Sequence, residues 1–222
     1  GNTVLTSGSI TIDSENGNDS DGGSVVFSGG SISAVLTNSD LTIRTRPENA
    51  SELSGFVTLA AVDGLAGNAI RHLTIDASNP NTTATANSLN AGNITFDGPV
   101  TLAANGNLVA SGGVVSLSTA NSNLATGGSG SVSLTATRNI VLASGSSVST
   151  VNGSLTLSAN QQETPTVGNF MGIDINNALI ITSGTGAIAM LGRGGDDVAT
   201  GSHHGVRIRG GGVVQSTSVL PG

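Results

Sequence analysis

Asp174 and Arg207 stand 33 positions apart in matching frames, Gly172-Ile173-Asp174-Ile175 and Gly205-Val206-Arg207-Ile208, and no other pair in the chain is better placed for chemistry. A carboxyl group beside an arginine can act as a general acid next to a group that steadies an oxyanion. It can also be an ion pair between neighbouring strands on a solvated sheet, worth up to about 1 kcal/mol. Sugar-cleaving sites of the first kind gather several carboxylates with lysine. Here lysine is absent and the acids never cluster at matching spacings. The ion pair is the better reading, and no catalytic residue is assigned. Arg44 and Arg46 alternate with Leu41 and Ile43, so they read as a solvated strand face.

Metal chemistry has one candidate. Asp13, Glu15, Asp19 and Asp21 crowd a Gly/Asn-rich stretch, and calcium takes several carboxylate and carbonyl oxygens from such loops. The spacing matches neither the calcium-loop pattern nor the Gly-Gly-x-Gly-x-Asp nonapeptide. The four acids are thus the first calcium ligands to nominate, with solvated turns as the competing reading. Asp196-Asp197 after Gly192-Arg193-Gly194-Gly195 is a weaker second stretch. His72, His203 and His204 are too few for zinc, and the adjacent pair would point to opposite sides of an extended chain. No other cofactor is expected.

The 33-residue offset also defines the elements that must position these residues. Leu179-Ile180-Ile181-Thr182-Ser183 lies over Gly212-Val213-Val214-Gln215-Ser216, Gly153-Ser154-Leu155-Thr156-Leu157 over Gly186-Ala187-Ile188-Ala189-Met190, and Asn139-Ile140-Val141-Leu142 over Gly172-Ile173-Asp174-Ile175. A fixed period of this size signals one structural unit stacked on itself. Each unit holds short apolar-polar-apolar pieces of period two, such as Val132-Ser133-Leu134, Ile140-Val141-Leu142 and Leu155-Thr156-Leu157. Val132 and Leu155 are separated by one 23-residue coil. The coils that follow are longer, with the additional residues at 158–171 and 191–204, both at the corner between the first and second sides. The spacing predicts two inward columns, Ile140–Ile173–Val206 and Leu155–Ile188, with Asp174 and Arg207 facing outward.

Composition points the same way. Gly, Ser, Thr and Asn make up about half of the 222 residues, and aromatics only 2%. A thin coil needs small and branched aliphatics, not the bulky side chains that fill a globular core. Candidate strands in the first half are Ile10–Ile12, Val25–Phe27, Leu41–Ile43, Val57–Leu59, Leu73–Ile75, Ile94–Phe96, Val100–Leu102 and Val115–Leu117, without a fixed register. Two polar excursions, residues 13–23 and 77–91, interrupt them. The expectation is one domain over residues 1–222, all-β, of eight or nine turns and about 40 Å long at the usual strand spacing.

Net charge of −7 disfavours nucleic acid and anionic membrane surfaces, which demand a basic face. No apolar run reaches membrane-span length. With no cysteine there is no disulfide framework, which is compatible with export. Both ends read as cut from something longer, without caps, so the expected partners are adjacent segments of the same chain or identical subunits joined end to end. A surface glycan is the further candidate partner.

The pieces Gly130-Ser131-Val132-Ser133-Leu134-Thr135-Ala136, Asn139-Ile140-Val141-Leu142-Ala143-Ser144-Gly145 and Gly153-Ser154-Leu155-Thr156-Leu157-Ser158-Ala159 resemble the rungs of filamentous-haemagglutinin-type surface proteins and of giant bacterial β-strand-repeat exoproteins. The resemblance covers residues 130–218 and implies a right-handed parallel β-helix, secretion to the bacterial surface and an adhesive or scaffolding role. Asn79-Pro80-Asn81 occurs in a Ser/Thr/Asn loop and does not carry the family's secretion signal. The expected function is a non-enzymatic extracellular stalk, filament or scaffold segment. A loop-based adhesin module that binds carbohydrate is the alternative, and a polysaccharide-active β-helix enzyme ranks below both.

Overall fold

The computed structural model describes residues 2–15, 21–49, 51–62, 70–79, 90–196, 201 and 203–217. The described residues are all-β with almost no helix, and every strand pairing among them is parallel. The pairings form three ladders, an arrangement compatible with a β-solenoid.

The first ladder runs through β2 (Ser9–Asp13), β5 (Ser39–Arg44), β7 (Ile70–Asp76), the first half of β10 (Leu108–Leu117), the first half of β12 (Val132–Leu142), β14 (Leu155–Ala159) and β17 (Ile188–Gly192). The second runs through β3 (Val25–Phe27), β6 (Val57–Leu59), β8 (Ile94–Phe96), the second halves of β10 and β12, β15 (Ile173–Asn176) and β18 (Val206–Arg209). The third contains β9 (Val100–Thr101), β11 (Asn123–Ala125), β13 (Ser147–Thr150), β16 (Leu179–Thr182) and β19 (Val213–Ser216). Val62 bridges Val100 to Ile32 and so links that ladder to β4 (Ile32–Ala34), which pairs with β1 (Thr3–Leu5).

Alternation explains why these segments become strands. In β14 the inward Leu155, Leu157 and Ala159 are fully buried while Thr156 and Ser158 are half-buried. Register then stacks like on like. Ile10, Leu41, Leu73, Leu108, Val132, Leu155 and Ile188 share one position of the first ladder. Ile140 pairs with Ile173 and Ile173 with Val206 in the second. These columns supply most of the apolar core, and the larger Phe96 is accommodated within it.

Among the described residues the first ladder holds seven strands, six steps of about 4.8 Å or about 29 Å, and the third, followed through the Val62 bridge to β4 and β1, has eight rungs. Two features differ from the sequence reading. First, β10 and β12 run straight through the corner that the sequence suggested; the register shifts there, with Thr137 and Arg138 of β12 opposite the single Gly113 of β10, a bulge in β12. Lastly, long connections at this corner are not confined to the C-terminal half. They also join β2 to β3, β5 to β6 and β7 to β8, so the two short connections in β10 and β12 lie between longer ones. Near the C-terminus β14 extends through Ala159 and β17 through Gly192, which trims the excursions to residues 160–172 and 193–205.

Candidate binding groove

Where the connections are short, the corner is notched. Gly113, Val114 and Arg138 form the floor, and a cavity of about 660 Å³ opens above them. One wall comes from the β2–β3, β5–β6 and β7–β8 connections, including Leu53, Phe56 and Gly92. The other comes from Thr166 and Val167 in the β14–β15 connection. A second cavity of about 390 Å³ shares Val114 and Arg138 and continues to Phe170 and Asp174.

The wall carrying Val167 is held by side chains that the strands bury. Asn160 is fully buried and adopts φ of 57°. Its Nδ2 donates to the Thr166 carbonyl at 3.1 Å and the Gly194 carbonyl at 3.2 Å, and its Oδ1 accepts from the Thr166 N–H at 2.6 Å. Gln162 Nε2 donates to the Thr137 carbonyl at 2.7 Å, fastening the same loop to β12. The loop thereby folds Phe170 against the outer face of the sheet, where it is 7% exposed. The Arg138 guanidinium lies 5.1 Å from the Phe170 ring centroid, a cation–π distance.

This cover also decides the fate of Asp174, and the outward-facing, solvated pair expected from the sequence needs correcting. Asp174 is in register with Arg207 as the spacing implies, yet it is buried. Two arginines engage it: Arg207 Nε and Nη2 at 3.2 and 3.3 Å, Arg209 Nε and Nη2 at 3.1 and 2.9 Å. Burial pushes the Asp174 carboxyl up, but hydrogen bonds from Arg209 and Arg207, with the charges of both, outweigh it and hold the pKa below the usual carboxylate range. Arg209 was legible by period two, since it follows Arg207 by two positions and faces the same side. Phe170 and Arg138 were not, because a tertiary loop brings them together.

A carboxylate lowered in the folded state contributes stability that is fully present above its unfolded value near 4 and lost as pH falls through the folded value. Asp174→Asn should therefore cost about 2 kcal/mol at pH 7. The gap between variant and parent should narrow as pH falls below the unfolded value near 4 and through the lower folded value. Melting temperatures of both proteins between pH 7 and 2 check this; a gap independent of pH would show that Asp174 is not ionised and paired.

Elsewhere the charges pair in the same cross-strand manner. Arg71 grips Asp40 with Nε at 2.9 Å and Nη2 at 2.6 Å. That hydrogen bonding lowers the Asp40 pKa against the opposing effect of burial. Arg44 lies 3.6 Å from Asp13 and Arg46 3.7 Å from Asp76, both partly exposed.

The three described acids among those nominated for calcium are not grouped with a further acid or histidine as a metal site. Asp13 faces Arg44, and Asp21 Oδ1 accepts the Leu53 N–H at 2.7 Å. Glu15 is buried, with its own N–H donating to Asp13 Oδ1 at 3.2 Å. Asp19 lies outside the described residues, as do Asp197, Pro80 and Asn81. Among the described residues no three His, Asp or Glu side chains are placed to hold a metal ion. His72 Nδ1 accepts the Asn107 N–H at 3.1 Å, which is a structural role, and His204 is exposed. Ile140 and Ile173, like Leu155, are fully buried, whereas Val206 and Ile188 occupy the outermost described strands and are partly open. No described helix is long and apolar enough to cross a membrane. No protein-family model, curated protein or solved structure matches the chain.

Proposed function

We propose that this chain is a β-solenoid segment of an extracellular scaffold, a stalk or filament body of the filamentous-haemagglutinin type, with no enzymatic role. The three ladders are the sides of one right-handed coil. Its basic turn is about 23 residues, and connections at one corner lengthen other turns, to 33 residues near the C-terminus. Right-handedness follows the general rule for parallel crossovers.

The observation that carries this reading is the state of the apolar columns at the outermost strands. Ile173, Ile175 and Ile180 are fully buried, but one strand further along the same columns Val206 is 37% and Ile208 49% exposed. Ile10, Ile12, Val25 and Phe27 are likewise only partly covered at the opposite side of the stack. Half-open columns beside strand edges that no other described strand pairs accept another turn of the same kind. A scaffold uses this property: adjacent segments of one chain, or identical subunits end to end, continue the stack. A heterologous contact of this sort propagates instead of closing. Asp174, locked between Arg207 and Arg209, supports a structural role for the charge that most resembled a catalytic acid.

Electron microscopy of the native material tests the proposal. Rods of uniform width, longer than the roughly 29 Å spanned by one set of ladders, are expected. Compact particles whose strand edges are covered by loops would overturn it.

A further inference from the structure

The notched corner binds an extended acidic peptide, we propose, with a peptide carboxylate seated on Arg138. Charge supplies the first argument. Five of the seven arginines are committed to carboxylates: Arg44 to Asp13, Arg46 to Asp76, Arg71 to Asp40, and Arg207 with Arg209 to Asp174. Arg138 is exposed, makes no ion pair or hydrogen bond among the described residues, and lies over the Phe170 ring. In a chain of net charge −7, a positioned and uncompensated guanidinium at the meeting point of two cavities is a docking point for an anion. In the adjoining cavity Asp174 is already paired by Arg207 and Arg209. Asp21, at the far end, accepts the Leu53 N–H and keeps its negative charge, so the peptide carboxylate is placed at the Arg138 end.

Shape supplies the second argument. The groove crosses six successive strands of the first ladder, from the β2–β3 connection at Gly22 to the β14–β15 connection at Val167. Five steps of about 4.8 Å make about 24 Å, the reach of about seven extended residues. A small anion would leave most of that length empty.

The character of the walls chooses peptide over sugar. A sugar chain needs many free hydrogen-bonding side chains, and each polar one here already makes at least one bond within the protein. Ser24 Oγ accepts the Phe56 N–H, Ser54 Oγ donates to the Ser78 carbonyl, Asn93 Oδ1 accepts the Val114 N–H and Thr166 Oγ1 donates to the Thr137 carbonyl. The exposed side chains include large apolar ones, Leu53 and Phe56 on one wall and Val167, 69% exposed, on the other, beside the exposed Asp21, Ser24 and Asn93. A guanidinium between apolar walls suits a Glu or Asp flanked by aliphatic side chains. The site stands whether or not the ladders continue end to end.

The test uses a library of soluble heptapeptides with Glu or Gln at the centre and Leu, Val, Ser or Gly at the other positions, screened against the whole chain. Fluorescence polarisation then measures the best binder, its Glu-to-Gln twin and a hexauronate oligosaccharide as competitor. Enrichment of Glu peptides is expected, with at least a tenfold weakening for the Gln twin and for Arg138→Ala. Since Arg138 and Val167 are exposed, Arg138→Ala and Val167→Asp should keep the parent melting temperature, and Val167→Asp should also weaken binding by repelling the carboxylate. No preference for Glu, or equal binding by Arg138→Ala, would overturn the proposal. Tighter binding of the hexauronate than of any peptide would overturn the choice of peptide.

Discussion

Ile173→Asp is expected to unfold the C-terminal part of the stack at neutral pH. Ile173 is fully buried between Ile140 and Val206 in one column. Replacing it removes about 2–3 kcal/mol of apolar burial. The carboxylate that replaces it finds no partner among the aliphatic neighbours, so the total loss should reach about 4 kcal/mol or more. Ala189→Asp is the comparison. Ala189 is exposed on the outward face of β17, and a charge there should change stability by no more than about 0.5 kcal/mol. Urea midpoints of the two variants report the difference. Equal losses would contradict the inward and outward facing assigned to these strands.

Gly153→Val should be nearly as damaging, for a reason unrelated to polarity. A Cβ at Gly153 would lie 1.9 Å from the Gly130 carbonyl oxygen, and one at Gly186 would lie 2.2 Å from that of Gly153. These obstacles are backbone atoms, so relief requires neighbouring strands to separate. The expected cost is about 3 kcal/mol, or a fall in melting temperature of about 6–12 °C for a chain of this size. Gly8→Ala, where an added Cβ meets nothing within 4 Å, should be silent. A silent Gly153→Val would mean that the strands are not packed backbone on backbone at this corner.

The columns were legible because their residues obey period two and because the last connections have equal length. Offsets alone therefore placed Ile140, Ile173 and Val206 together. In the first half the same logic fails, since Ile10 to Leu41, Leu41 to Leu73 and Leu73 to Leu108 are unequal intervals. A better key was present. Gly23-Ser24-Val25, Gly55-Phe56-Val57, Gly92-Asn93-Ile94 and Gly113-Val114-Val115 mark the same corner, and the first three enter paired strands of the second ladder. The glycine is a register mark: a Cβ at Gly92 would strike the Gly55 carbonyl oxygen at 1.9 Å. The groove was less accessible to sequence reasoning. Periodicity says that Asp174 faces outward, but it carries no information about a loop returning to cover that face. Nor does it show that Arg138, in the unbroken strand β12, meets Phe170 from that loop.

The central claim is that all these strands form one continuous parallel stack, and spin-label distances test it most directly. The chain has no cysteine, so paired cysteines can be labelled without background. One label is fixed at Ala189, and the other is placed in turn at Thr74, Thr42 and Thr11, which occupy the same register position four, five and six strands away. Pulsed electron resonance should give distances near 19, 24 and 29 Å, rising by about 4.8 Å per strand. Distances that fail to rise in that order, or a Thr11 label closer to Ala189 than the Thr74 label, would contradict a single stack.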